Sequence, residues 1–254
     1  MVDQDLAGAG GSVSPAQAPC GHELAVIKRL PWVRRIQVYS PKAARMLVLF
    51  SYDCLAAWAL AESCPLVEAF SEYPGFIPVD GTRVMADLWV CGAGREQFVK
   101  IDGGIELSSE LPEQVPTYGD VEISRVSTSW LAQRQVWIDN WLQINPYLVA
   151  NARFVTPAML DQVTASFDNA RPLFDVEHAL RDVDAQLVRT AIFMLMHQGK
   201  VCSDDLTIRP LATTTVLDQI DDPHQAGLHP RLVPPRSCWL AEPPTHTDAP
   251  ALGF

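Results

Sequence analysis

The sequence predicts an α/β domain followed by a mostly helical one. Three observations carry this expectation. Between residues 66 and 101 short β-prone runs alternate with Pro, Gly and Asp, and a helical stretch precedes them. Between residues 129 and 199 the apolar pattern shifts to three- and four-residue steps. The stretch "ELPEQVPTYGD" (110–120) between them has the composition of a linker. The expected organisation is a flexible N-terminus (1–22), an α/β domain (23–115), a helical domain (116–220) and a Pro-rich tail (221–254).

Residues 1–22 are rich in Gly, Ala, Ser and Pro, which suits a flexible segment. Residues 23–38 hold the short alternations "LAVIKRL" and "VRRIQV", consistent with a strand or an arm. From Lys42 to Glu62 the pattern is mostly helical, with a break near Ser51. Leu55, Trp58, Ala59 and Glu62 follow helical steps, and Cys64-Pro65 ends the helix. The strand-like runs are "LVEAF" (66–70), "GFIPV" (75–79), "RVMADLWV" (83–90) and "EQFVKI" (96–101). Asp80-Gly81 between two of them signals a tight hairpin, because both positions tolerate positive φ.

In the second domain "SWLAQRQVWIDNWLQI" (129–144) reads as a helix with Trp130, Trp137 and Trp141 at helical spacing, a stripe that belongs to a core. Further helices are expected over 156–167, 173–182 and 184–199, the last closing on Gly199. Short β-prone pieces follow. Helix, turn, longer helix and then short strands is the order of a winged helix–turn–helix. Its second helix, "AQLVRTAIFMLMHQG", carries few cations, so protein docking is favoured over base readout, which needs Arg, Lys, Asn or Gln facing a groove. The final 34 residues hold seven prolines and little periodic apolar content, a composition typical of disorder, with Trp239 and Leu240 as candidate anchors.

With 254 residues, 48% of them hydrophobic, the chain can bury a real core. No apolar run approaches a membrane span and the N-terminus has no charged-then-apolar leader, which points to the cytoplasm. Cysteines 20, 54, 64, 91, 202 and 238 form no CxxC pair and read as free thiols. A net charge of −11 argues against a protein that coats DNA unaided. Lys28, Arg29, Arg34, Arg35, Lys42 and Arg45 nonetheless form a basic cluster, either a solvated face or a local DNA contact.

One constellation points to chemistry. Metal-dependent nucleases hold a divalent ion with an Asp on one strand and a Glu or Gln on the next, with a Lys two positions later to polarise the attacking water. A helical Glu often completes the set, since magnesium demands oxygen ligands. Asp87 lies within a strand-like run, and the next run offers Gln97, Phe98, Val99 and Lys100.

The stretch "RIQVYSPKAARMLVLFSYDCLAAWALAESCPLVEAFSEYP" resembles the N-terminal catalytic domain of the TnsA family, the endonuclease subunits of heteromeric cut-and-paste transposases. Matching positions are Tyr39-Ser40, Lys42, Arg45, Ser51, Leu55, Glu62, Val67, Phe70 and Glu72, and Asp87-Leu88-Trp89-Val90 falls at the Asp strand. The similarity covers about residues 33–101. It implies a restriction-endonuclease-like (PD-(D/E)xK) domain ahead of the winged-helix domain, and magnesium if the site is active. Implied partners are a DDE-type transposase, an AAA ATPase regulator, an active TnsA-type subunit and transposon-end DNA.

The departures fall on the chemistry. The family's helical metal-ligand Glu corresponds to Cys54, while the strand Asp is Asp87. Aligned on Lys100, the amide or acid ligand becomes Phe98; aligned on "EQF", the Lys position falls on Gly103. A thiolate suits magnesium poorly and phenylalanine cannot coordinate. The expectation is a catalytically degenerate subunit, with Asp87 and Lys100 as remnants. Its alternatives are an active enzyme using Asp53 or Glu96, or a winged-helix DNA-binding regulator.

Overall fold

The computed structural model describes residues 34–92, 95–103, 118–119, 121–167 and 169–220. Lys28, Arg29, Cys20, Cys238, Trp239, Leu240, the N-terminal and C-terminal segments and most of the linker lie outside the described residues.

The described chain opens with a hairpin, β1 (Ile36–Ser40) and β2 (Arg45–Leu49), followed by helix α1 (Tyr52–Ser63). The helix expected from Lys42 therefore forms only in its second half. The sequence Lys-Ala-Ala-Arg-Met-Leu has high helix propensity, but tertiary ties override it. Ala44 takes φ +51° in the turn. Ser40 Oγ accepts from Ala43 N at 2.9 Å and donates to Glu62 Oε2 at 2.5 Å. Lys42 Nζ donates to the carbonyls of Ala61 and Cys64, at 3.0 and 2.7 Å, binding the turn to the C-terminal end of α1. Leu47 and Leu49 then alternate into the core. Ser51 caps α1 by accepting from Cys54 N at 3.0 Å.

Next come β3 (Ala69–Glu72), the hairpin β4 (Phe76–Val79) and β5 (Thr82–Met85), β6 (Leu88–Gly92), β7 (Arg95–Ile101) and β8 (Ile123–Val126). Asp80 and Gly81 make the β4–β5 turn with φ of +49° and +78°, as the dipeptide signalled. The expected strand 83–90 is split at Ala86-Asp87 into β5 and β6. The main sheet has the order β3-β6-β7-β8, antiparallel except for β8, which runs parallel to β7 with Phe98 opposite Ile123. Since β8 completes this sheet, the first unit reaches Val126 instead of ending near residue 115.

A bidentate pair locks the first hairpin to β3. Arg45 Nη1 and Nη2 donate to Glu72 Oε1 and Oε2 at 2.8 and 2.6 Å, half-buried. Arg45→Ala should cost about 1–2 kcal/mol, because it leaves Glu72 with one weak backbone donor. Urea unfolding at neutral pH measures this, and an unchanged midpoint would refute it.

The second unit begins with α2 (Thr128–Ala132) and α3 (Gln135–Asn151), capped at the start by Ser127. A short 3₁₀ turn leads to α4 (Pro157–Ala165), β9 (Arg171–Pro172), α5 (Leu173–Ala179), α6 (Ala185–His197), β10 (Val201–Cys202) and β11 (Val216–Gln219). The last three strands form an antiparallel sheet of order β10-β11-β9. Helix α6 packs on α3, α4 and α5, and buries Val188, Ala191, Ile192, Phe193, Leu195 and Met196.

One apolar core runs through both units and includes Leu47, Trp58, Leu88, Trp141, Phe193 and Leu217. A smaller cluster of Ile77, Ala86, Trp89, Phe98 and Tyr118 covers the opposite face of the main sheet. The units also share polar ties. Trp137 Nε1 donates to Ser63 Oγ at 3.0 Å, and Asn145 Nδ2 donates to the Tyr39 carbonyl at 3.1 Å. No helix among the described residues is long and apolar enough to cross a membrane.

Candidate functional site

Three elements bring the sequence-predicted residues together. Asp87 sits at the foot of β6, directly ahead of Leu88. The pairing of Leu88 with Val99 sets Asp87 opposite Lys100 on β7. Lys100 Nζ lies 3.0 Å from Asp87 Oδ2, and the Ile101 N–H donates to the same oxygen at 2.8 Å. The first turn of α1 places Cys54 Sγ 3.9 Å from Asp87 Oδ1. Asp87 and Cys54 are both buried.

Tyr73, which sequence reasoning did not single out, closes the group. It takes a left-handed backbone (φ +44°) between Glu72 and Pro74, and its ring stacks on Phe50 at 5.2 Å. Its hydroxyl accepts from Phe50 N at 2.8 Å and hydrogen-bonds with the Cys54 thiol. Nothing local marks it, since its partners lie about 20 residues upstream in the chain; a bulky residue held at positive φ is the structural signal.

The electrostatics describe a neutralised site. Burial pushes the Asp87 carboxyl up, and the Lys100 ammonium with the Ile101 N–H pulls it back only in part. Burial pushes the Cys54 thiol up to about 12, and the Asp87 charge adds to the rise. Cys54 is thus a protonated thiol at neutral pH, a weak donor toward Asp87 and neither a nucleophile nor a ligand. Burial likewise raises the Tyr73 phenol above its ordinary value, with Cys54 adding to it.

Strand alternation decides which register of β7 bears on this site. Phe98 and Lys100 share a face, whereas Gln97 points to the other. Phe98 stacks on Tyr118 at 4.6 Å within the smaller cluster, on the sheet face opposite the core that holds Cys54, so it supplies no oxygen to the site. Gln97 is buried on the same face of β7 as Val99 and Ile101, and its side chain bonds to Glu122. Gly103 lies in an exposed turn after β7 at φ +75°.

The substitute carboxylates fare no better. Glu96 accepts from Trp89 Nε1 at 3.1 Å, four residues from Lys100 and hence roughly 13 Å away along the strand. Asp53 precedes Cys54 in α1, so its side chain is turned about 100° from it. Glu62 is buried at the other end of α1, where Ser40, the Lys42 N–H and His197 occupy its oxygens.

Among the described residues no group of three or more His, Cys, Asp or Glu side chains is placed to hold a metal ion. A magnesium ion does not fit the donors present. Among the described residues only the Asp87 carboxylate faces the position, and one of its oxygens already binds an ammonium and an amide N–H.

The predicted basic cluster divides. Arg34 and Arg35 are exposed, and the Arg34 guanidinium lies 4.8 Å over the Tyr52 ring at the start of α1. Lys42 and Arg45 are spent internally, on helix-end carbonyls and on Glu72, so they cannot reach a phosphate without breaking these ties. Burial also lowers the Lys42 pKa from its ordinary value, against the attraction of Cys64 and Glu62.

The second unit offers little to a DNA groove along α6. Its one arginine, Arg189, donates to Glu177 at 2.6 Å and to the Tyr147 hydroxyl at 3.3 Å. No known protein-family model matches the sequence, and no curated protein is significantly similar to it.

Proposed function

We propose that the chain is a TnsA-like subunit of a DNA transposition complex that has lost its chemistry and acts as a scaffold. It would join a DDE-type transposase, an AAA ATPase regulator or an active endonuclease partner at transposon ends. The observation that carries this reading is the filled site. A helix and two neighbouring strands bring Cys54, Asp87 and Lys100 together, and an ammonium and a thiol face the Asp87 carboxylate where the resemblance would expect metal ligands and free oxygens. Asp87 and Lys100 satisfy each other where an active site would leave the carboxylate to a metal and the lysine to a water.

Further support comes from the residues that carry the resemblance. Ser40, Lys42, Arg45, Ser51, Glu62 and Glu72 are bound into caps, turns and ion pairs of the first unit. Selection for architecture explains their retention without any need for catalysis. In the second unit the order α4, β9, α5, α6, β10, β11 fits a winged helix–turn–helix. The burial of α6 and the pairing of Arg189 favour protein docking over base readout for that unit.

The test is a nicking assay on supercoiled DNA carrying the transposon ends, with magnesium or manganese, alone and with the transposase. The protein should produce no nicks beyond those of Asp87→Ala. Cleavage that disappears in Asp87→Ala would overturn the scaffold reading.

A further inference from the structure

Half of the exposed large apolar side chains among the described residues lie along the junction of the two units. Tyr39 and Met46, 37% and 51% exposed, stand directly opposite each other on the β1–β2 hairpin. Gln37, two residues before Tyr39 and hence on the same face, is exposed as well. From the other unit α3 reaches this hairpin through Asn145, whose Nδ2 donates to the Tyr39 carbonyl. One turn along the same side of α3 stands Val149, 44% exposed, with Pro146 and Ala150 exposed beside it. Arg153 follows four residues later in the 3₁₀ turn, and its guanidinium lies 4.6 Å over the ring of Phe154, itself 52% exposed. A strand pair, a hydrogen bond, helical turns and a ring contact thus link each member to the next, from one unit into the other.

The charge along this surface has one sign. Residues 34–52 and 140–160, which build it, include no Asp or Glu, although the chain has 30 of them. They do include Arg34, Arg35, Lys42, Arg45 and Arg153. Lys42 and Arg45 are held by helix-end carbonyls and by Glu72. Arg34, Arg35 and Arg153 enter no ion pair among the described residues, and the first two stand exposed at the open end of β1. The carboxylates that border these segments are Asp53, Asp139 and Asp161. None of them pairs with the three arginines, and Asp139 is turned about 120° from Asn145 around α3, where it accepts from Gln135. Three unpaired guanidinium groups are few for a phosphate backbone in a chain of net charge −11, and Met46, Val149 and Phe154 offer phosphate nothing.

We propose that this junction surface docks an acidic amphipathic segment of a partner protein. Tyr39, Met46, Val149 and Phe154 would take its apolar side chains, and Arg34, Arg35 and Arg153 its carboxylates. Apolar surface with a complementary charged rim is the usual anatomy of such contacts. The surface crosses from the hairpin to α3, so the segment must touch both units. The proposal rests on the scaffold reading only for where the partner acts. Its failure and that of the nicking assay are separate outcomes.

The full chain is titrated against a fluorescein-labelled helical peptide of Glu and Leu in amphipathic order, about 18 residues and so about 27 Å long. A Lys-for-Glu counterpart is the control. Saturable anisotropy is expected for the Glu peptide, and binding at least about tenfold weaker for the Lys peptide. Met46→Ser, Phe154→Ser and Arg153→Glu should each weaken the Glu peptide by about tenfold, as removal of an anchor or a rim charge does. All three side chains are exposed, so unchanged circular dichroism and melting verify the fold. Absence of saturable binding would overturn the proposal, as would equal binding by the Lys peptide. A loss confined to the variants of one unit would overturn it too, since the surface would then not join the units. So would binding of a DNA duplex, or self-association in sedimentation, that is lost with Phe154→Ser.

Discussion

Glu62→Ala lowers the melting temperature by on the order of 10 °C. The carboxylate is buried at the junction of three elements. Ser40 Oγ donates to Oε2 at 2.5 Å, the Lys42 N–H donates to Oε1 at 3.0 Å, and His197 Nε2 lies 2.9 Å from Oε1. Removing one member of a buried ionic group costs about 3–5 kcal/mol, because the others stay desolvated and unpaired. In a chain of this size each kcal/mol moves the midpoint by about 2–4 °C.

The same variant alters the acid response. Burial alone would push the Glu62 carboxyl up, but hydrogen bonds from His197 and Ser40 and the attraction of His197 and Lys42 hold it below its ordinary value. A carboxyl depressed in the folded state contributes stability above its unfolded value, about 4.3, and loses it as pH falls through the folded value. The gap between wild type and Glu62→Ala should thus be full at pH 6 and shrink below about pH 4. Scanning fluorimetry across pH reads both effects. A shift under about 2 °C at pH 6 would show that the junction holds without this residue.

Cys54→Glu should destabilise the metal-free protein by about 2–4 kcal/mol, and manganese should restore part of the loss. The substitution sets a second carboxylate beside a buried one that Lys100 only partly compensates. A divalent ion offsets this repulsion, since two carboxylates then share its charge. Cleavage should still be absent, because Phe98 remains packed on Tyr118 and supplies no oxygen. Melting with and without 5 mM manganese (about that concentration suffices for a weak site) gives the first readout, and the nicking assay gives the second. Cys54→Glu that shows no metal-dependent recovery, or that cleaves alone, would contradict this account of the site.

Local chemistry was legible in the sequence. The Asp80-Gly81 turn, the Ser51 cap and the helices around 157–165, 173–179 and 185–197 are set by neighbouring residues, and short-range patterns report them. The strand β2 was not legible, because the Ser40 and Lys42 contacts that hold its turn come from residues about 20 positions away. Strand β8 reads as an undistinguished "ISRV" and exists through its parallel pairing with β7, which no local signal encodes. At the candidate site, the structure brings together Asp87 and Lys100, the two residues that the sequence pattern singled out. That Phe98 and Gln97 point to opposite faces of β7, neither of them bonded to Asp87, emerges only from the strand pairing. Tyr73 and His197 stayed hidden for the same reason, each reaching its partners across a long loop of chain.

The position of β8 has a consequence for how such a gene can be rearranged. The strand that finishes the first sheet lies after the linker-like segment and only one residue before α2. A recombination joint near residue 115, where composition invites one, would transplant that strand with the wrong half. The donor would lose the partner of β7, and the recipient would gain an orphan strand. Exchange of the two halves between related genes should therefore succeed only at joints after Val126, and the shared core confines even those to closely matched parents.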